Sequence, residues 1–238
     1  MGPFTYMDLL SKLGIGGAHP GGLKATEIML KDEQISKDMV ILDAGCGTGQ
    51  TSAYLYNAYR ANIIALDAHQ LMIQKAKERF SRLNLPVQVM EASLEAIPLK
   101  DQSIHYCLAE SVLSFVDIKP VLREIKRVLK PGGILCAIEL IIKRPLLNIE
   151  EEQIEQFYGF RQMWNEERWE KSMKDAGFID IQFQALPSFY DDQEPLTEFQ
   201  PSENIPVAVF DLLEQHGSLL QQYRDVLGYR IIRAQKSY

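Results

Sequence analysis

The residues with the clearest chemical potential are Asp43-Ala-Gly-Cys-Gly-Thr-Gly49. Three glycines at alternate positions let a backbone turn tightly and approach a ligand closely. The helix that begins near Gln50 offers free N–H groups at its N-terminus. A dinucleotide GxGxxG pattern would need glycine where Gln50 stands, and the GxxxxGK[ST] phosphate pattern is absent. A diphosphate is therefore not the first ligand to expect. Asp67 ends the next strand-like run, where a carboxylate can accept hydrogen bonds from both hydroxyls of a ribose without a 2′-phosphate.

Other residues have two readings each. Glu110, closing a buried strand, is costly unless paired or hydrated. It either binds backbone N–H groups or a neighbouring cation, or contacts a cofactor amino group or substrate. His19 lies in the glycine-rich Gly14-Ile-Gly-Gly-Ala-His-Pro-Gly-Gly22. It is either a base at the mouth of a site or a loop histidine that caps or packs. Cys46 is either a thiol activated at a helix N-terminus or a small packing residue. His69 is placed to flank a ligand, His105 to be structural and His216 to be solvated.

These residues must be positioned by a regular frame. From residue 39 to about 184, strand-like runs alternate with helical patterns. The strands are Met39 to Asp43, Asn62 to Asp67, Val87 to Met90, Ser103 to Glu110, Gly133 to Ile142 and Ile179 to Phe183, with Gly228 to Gln235 as a final one. Helical spacing covers Gln50 to Tyr59, Gln70 to Asn84, Ile118 to Leu129 and Asn165 to Ala176. The pattern implies an α/β fold, a doubly wound and mostly parallel seven-stranded sheet covered on both faces.

Three regions stand outside the alternation. Residues 1–38 read as a helical lid segment ahead of a domain over 39–238, with insertions at about 145–165 and 186–226. In the first insertion Asn148 is a plausible N-cap with Glu151 as its partner. Its Phe157, Tyr158, Phe160, Met163 and Trp164, together with Tyr6, are candidates for an apolar cover. In the second, Leu186 to Asn204 reads as a loop and Pro206 to Arg224 as a helix.

Composition bounds the alternatives. The 238 residues are 46% apolar and 24% charged, ordinary globular values that exclude a disordered chain. The net charge of −7 argues against nucleic acid as a partner. Cys46, Cys107 and Cys136 have no zinc spacing, so no metal is expected, and the latter two read as core. No secretory leader and no apolar run near ~20 residues is visible, so a cytoplasmic protein without a membrane span is expected.

The stretch VILDAGCGTGQT, Asp67, and Leu129-Lys-Pro-Gly-Gly133 together resemble the class I S-adenosylmethionine-dependent methyltransferases over about residues 20–184. Glu91 to Leu99 and the HPGG segment resemble the small-molecule branch of ubiquinone, sterol and cyclopropane-type enzymes, although Ser93 stands where that branch usually has Asp. The resemblance implies S-adenosyl-L-methionine as cofactor and S-adenosyl-L-homocysteine as product. It implies that Gly45, Cys46 and Gly47 line the methionine and ribose side, with Cys46 as the small packing residue. Asp43 would position the loop or the methionine amino group, and Asp67 would hold the ribose. Ala68, Met72, Ser93 and Leu94 would surround adenine. Glu110 would lie where cofactor and substrate meet, and His19 and Glu110 are the candidate catalytic residues.

The implied reaction is in-line methyl transfer to a small organic acceptor by a monomer or homodimer. An RNA or protein methyltransferase is the first alternative, but Glu110-Ser-Val-Leu113 lacks the [DNS]PP[YFW] signature of amino-methylating nucleic-acid enzymes. A non-catalytic cofactor-binding module is the second.

Overall fold

The computed structural model describes residues 4–186 and 198–238. β1 (Val40–Ala44), β2 (Asn62–Asp67), β3 (Gln88–Glu91), β4 (Ile104–Glu110) and β5 (Leu129–Ile142) pair in parallel, and β6 (Phe178–Ala185) and β7 (Leu227–Lys236) complete the sheet antiparallel. The order is β3-β2-β1-β4-β5-β7-β6. Strand order reverses between β1 and β4, and the carboxyl ends of strands at such a point form a crevice. The seven-stranded, mostly parallel sheet expected from the sequence is the one observed.

The central strands are apolar on both faces because both are covered. Leu42, Cys107 and Leu135 face a cluster with Val121, Leu122 and Ile125 of α5 (Ile118–Val128) and with Trp169 and Met173 of α7 (Glu166–Asp175). Ile41, Leu108 and Cys136, one residue out of phase, face Leu55 of α3 (Gln50–Tyr59) and Met29 of α2 (Gly22–Leu30). This period of two places successive side chains on opposite faces. Cys107 and Cys136 are core residues, and burial pushes both thiols well up. His105 accepts from Val40 N–H at 2.8 Å and meets Lys130 Nζ at 2.9 Å, a structural tie between strand starts.

Several expectations shift. β5 begins at Leu129 rather than Gly133, so Pro131-Gly-Gly lies within the strand, next to a register shift on β4 between Ile104 and Tyr106. Helix α6 (Asn148–Tyr158) starts one residue early, with Asn148 inside it. Glu150, not Glu151, reaches back to Leu147 N–H at 2.9 Å, and Arg144 holds that carboxylate at 2.7 Å. The second insertion contains α8 (Val207–Gln222) as expected.

The reading of Leu186 to Asn204 as loop falls partly outside the described residues. Its described end is a strap. Gly16 N–H bonds Glu198 O at 2.7 Å and Gln200 N–H bonds Gly14 O at 2.9 Å. From α4 (Gln70–Arg82), buried Arg79 pairs with Glu198 and donates to Thr48 O at 2.8 Å, while Lys75 donates to Gln200 O at 2.5 Å. The strap thus ties the segment after α1 (Tyr6–Leu13) to the back of the glycine loop.

Trp169 is fully buried, and its indole N–H donates to Leu140 O at 3.0 Å. Trp169→Ala removes that packing and leaves the carbonyl unpaired. It is expected to lower unfolding free energy by about 3–5 kcal/mol in a urea titration.

Candidate active site

The sequence-predicted residues gather at the carboxyl edge of β1, β2 and β4. After β1 the chain turns back across β2, with Gly45 and Cys46 N–H both bonding Leu66 O, at 2.7 and 2.9 Å. Gly45, Gly47 and Gly49 all have positive φ, from 52° to 79°. Their surroundings differ. A Cβ on Gly45 would sit 2.4 Å from Val112 Cγ2, and one on Gly49 would sit 2.5 Å from Phe80. A Cβ on Gly47 would meet no atom within 4 Å. Two of the glycines permit packing, and the middle one faces open space where a ligand can approach the backbone.

Acidic groups lie at the ends of the neighbouring strands. Asp67 accepts from Gly47 N–H at 2.9 Å and His69 N–H at 2.8 Å. Burial raises its carboxyl above the usual range against those bonds. Asp43 is buried and accepts from the Ser52 hydroxyl at 2.5 Å. Burial first, and then the neighbouring Glu110 carboxylate, push its carboxyl up to about 7. Glu110 accepts from Thr26 at 2.5 Å and Thr51 at 2.6 Å, and His19 Nε2 lies 3.4 Å from it. Cys46 is buried, and its thiol is pushed well up by burial and by Asp43. That fits the packing role and not an activated nucleophile.

His19 is therefore joined to the edge of the sheet, 91 residues from its carboxylate partner in sequence. With Nε2 directed at Glu110, the neutral tautomer carries its proton there and its lone pair on Nδ1. Nδ1 is buried and has no hydrogen-bond partner. Leu94 is buried in the core and Met72 is buried at the start of α4, whereas Ala68 and Ser93 are exposed. Ser93 Oγ accepts from Glu95 N–H at 3.1 Å.

Sequence reasoning missed the hydroxyl set. Thr51 and Ser52 stand one residue beyond the glycine loop, and a hydroxyl pair at a helix start beside two strand-end acids was the available signal. Thr26 carried none. His216 was expected in solvent. Instead its Nδ1 lies 3.0 Å from the Tyr158 hydroxyl, with Tyr6 and Phe157 rings against it. These rings bring α1, α6 and α8 together, with Phe115 and Phe160 adjoining. Trp164 is separate, packed edge-on against Trp169 in the core.

The contrast between glycines is testable. Gly47→Ala costs about 1–2 kcal/mol of stability, the left-handed penalty alone, yet places a methyl in the open space. Cofactor affinity is expected to fall by more than Tm suggests. Gly45→Ala, driven into Val112, is expected to lose stability and binding together. Thermal unfolding and calorimetry on both variants check this.

A family profile described as a methyltransferase domain matches residues 42–137. An uncharacterized methyltransferase of Bacillus subtilis, YodH, is 39% identical over 232 residues, spanning 97% of this chain and 99% of that protein. The ubiquinone/menaquinone biosynthesis C-methyltransferase of Bartonella quintana is 35% identical over 114 residues, covering 45% of this chain and 44% of its own length. Among solved structures, Haemonchus contortus phosphoethanolamine N-methyltransferase 2 with S-adenosyl-L-methionine superposes with a TM-score of 0.80 at 18% identity, over 98% of this chain and 57% of that one. With a relative matched almost end to end and the glycine loop at the switch point of the sheet, the chain belongs to the class I S-adenosylmethionine-dependent methyltransferases, enzymes whose cofactor is S-adenosyl-L-methionine.

Proposed function

We propose that this methyltransferase acts on a small organic acceptor. The observation that carries the cofactor side is the open space at Gly47, whose N–H is held by Asp67, beside Asp43, which interacts with both Asp67 and Glu110. Buried carboxylates crowded together favour a ligand that brings positive charge. When bound, S-adenosyl-L-methionine supplies a methyl group already activated on a cationic sulfonium, and its ammonium adds a second positive charge. Gly45, Cys46 and Gly47 line its methionine and ribose side. Asp67 exchanges contact with Gly47 N–H for the ribose hydroxyls. Asp43, through Ser52, holds the loop and lends charge near the amino group. Ala68, Met72, Ser93 and Leu94 enclose adenine.

The protein's remaining task is to orient the acceptor, exclude water and receive any proton that leaves. Glu110 orients His19, and His19 Nδ1 is the atom that takes the acceptor's proton. Helices α1, α6 and α8 cover the acceptor, with Tyr6, Phe157, Tyr158, Phe160 and Met163 as the apolar wall. An aromatic enclosure suits a compact organic molecule. The chain's net charge of −7 disfavours RNA, and a quinone-pathway relative supports the same class.

Calorimetry tests this reading. Asp67→Ala is expected to weaken S-adenosyl-L-methionine binding about tenfold or more, the worth of hydrogen bonds to a charged group. The pH dependence has a defined sign. Burial and the neighbouring Glu110 push the Asp43 carboxyl up to about 7, and a cationic ligand lowers that value. Below pH 7 binding must displace a proton, so affinity falls by up to about tenfold per unit, and above it the dependence flattens. S-adenosyl-L-homocysteine, lacking the sulfonium charge, is expected to show a shallower slope. Equal affinities at pH 6 and pH 8 would remove the role given to Asp43. Absence of binding by folded wild-type protein would remove the cofactor assignment.

A further inference from the structure

The turn after β4, residues 111–116, is held in an unusual way. Ser111 has a left-handed φ of 55°, and Ser111 N–H still bonds Ile138 O at 2.7 Å. The next amides leave the sheet and point at one side chain from β5. Val112 and Leu113 N–H donate to Glu139 Oε1 at 3.0 and 2.7 Å. Ser114 N–H and its hydroxyl donate to Oε2 at 3.2 and 2.8 Å. Glu139 is fully buried. The four hydrogen bonds it receives favour the ionised carboxylate, against burial, which pushes its carboxyl up to about 7.

The carbonyl side of the same turn is held by the insertion between β5 and α7. The Gln162 amide donates to Leu113 O, and to Val116 O at 2.7 Å. Arg161 N–H bonds Ser114 O at 2.8 Å. Gln162 is buried too, and two residues later Trp164 O accepts from Ile142 N–H at 2.9 Å. Phe160, on the same segment, packs against Phe115 of the turn, ring centres 4.8 Å apart.

The turn in turn presses on the glycine loop, because Val112 leaves no room for a Cβ on Gly45. A continuous, close-packed path therefore runs from Gly45 through Val112 and the turn to Gln162 and the aromatic wall. We infer that Glu139 and Gln162 are positioning residues, a two-sided clamp that couples the insertion over the acceptor to the glycine loop that holds the cofactor. This rests on the cofactor reading given above. Glu139 fixes the turn against the sheet, and Gln162 transmits its position to residues 159–164.

Hydrogen exchange with S-adenosyl-L-homocysteine as the probe tests the coupling without any acceptor. In wild-type protein the compound is expected to slow exchange in 111–116 and 159–164 together. Gln162→Ala, and the isosteric Gln162→Glu that lacks the amide donors, are expected to keep protection of 111–116 but lose it in 159–164. Glu139→Gln sets an amide N–H2 against backbone donors and is expected to lose both, with affinity reduced tenfold or more. Met173→Ala, on the buried face of α7, lowers Tm and is expected to leave the ligand-dependent protection intact. Protection of 159–164 that survives both Gln162 variants, or is absent from wild type that binds the compound, overturns the coupling alone. Failure of wild type to bind the compound overturns the cofactor reading and the coupling with it.

Discussion

The structure depends on keeping like charges together at one edge of a sheet. Asp43, Asp67 and Glu110 end neighbouring strands, where topology brings the carboxyl ends to one crevice. None can turn fully to water. Each is therefore stabilised by donors from the segment that follows or crosses it: Ser52 for Asp43, Gly47 and His69 amides for Asp67, Thr26, Thr51 and His19 for Glu110. Hydrogen bonds to ionised acceptors are the strong ones. They still leave Asp43 and Asp67 with raised carboxyls, through burial in both and through the nearby Glu110 and Asp67 carboxylates at Asp43. The site is thus paid for in advance by polar contacts that also fix the glycine loop, α3 and the N-terminal loop.

The frame was legible because its signals are local. Asn62–Asp67 and Gln50–Tyr59 appear at the residues read from the sequence, since an apolar run between turns and a glycine loop before a helix leave little choice. The first insertion's cap was misread by one residue because of a nearby side-chain pair. Arg144 captures Glu150, and Leu147 N–H follows that carboxylate, so the chemically better Asn148 is drawn into the helix. His216 was misread because α8 exposes Phe210, Leu213 and Leu220 and offers no clear buried stripe, yet Tyr158 supplies a partner across 58 residues.

Much of the site was legible as residue types but not as contacts. The glycines and Asp67 are recognised by spacing, because backbone conformation and a strand end determine what they can do. The Glu139–Ser114 and Gln162–Leu113 contacts have no such signature. A glutamate within the apolar run Ile134 to Ile142 announces only that something must satisfy it, and a glutamine in an insertion announces nothing.

The same distinction bears on how the enclosure is built. The Gly14–Gly22 loop is fixed by backbone bonds to Glu198 and Gln200, and through His19 and Thr26 to Glu110. Loosening it would strand a buried carboxylate, since Glu110 would lose the histidine and a hydroxyl at once. The contact of α1 with α6 and α8 is of another kind, made mostly of rings, with polar links from Tyr158 to His216 and from Tyr223, at the end of α8, to Gln153. Ring contacts are weakly directional and can slide or repack, whereas donors aimed at a buried carboxylate cannot shift without exposing charge. The acidic crevice is consequently held more stiffly than the ring contacts among α1, α6 and α8.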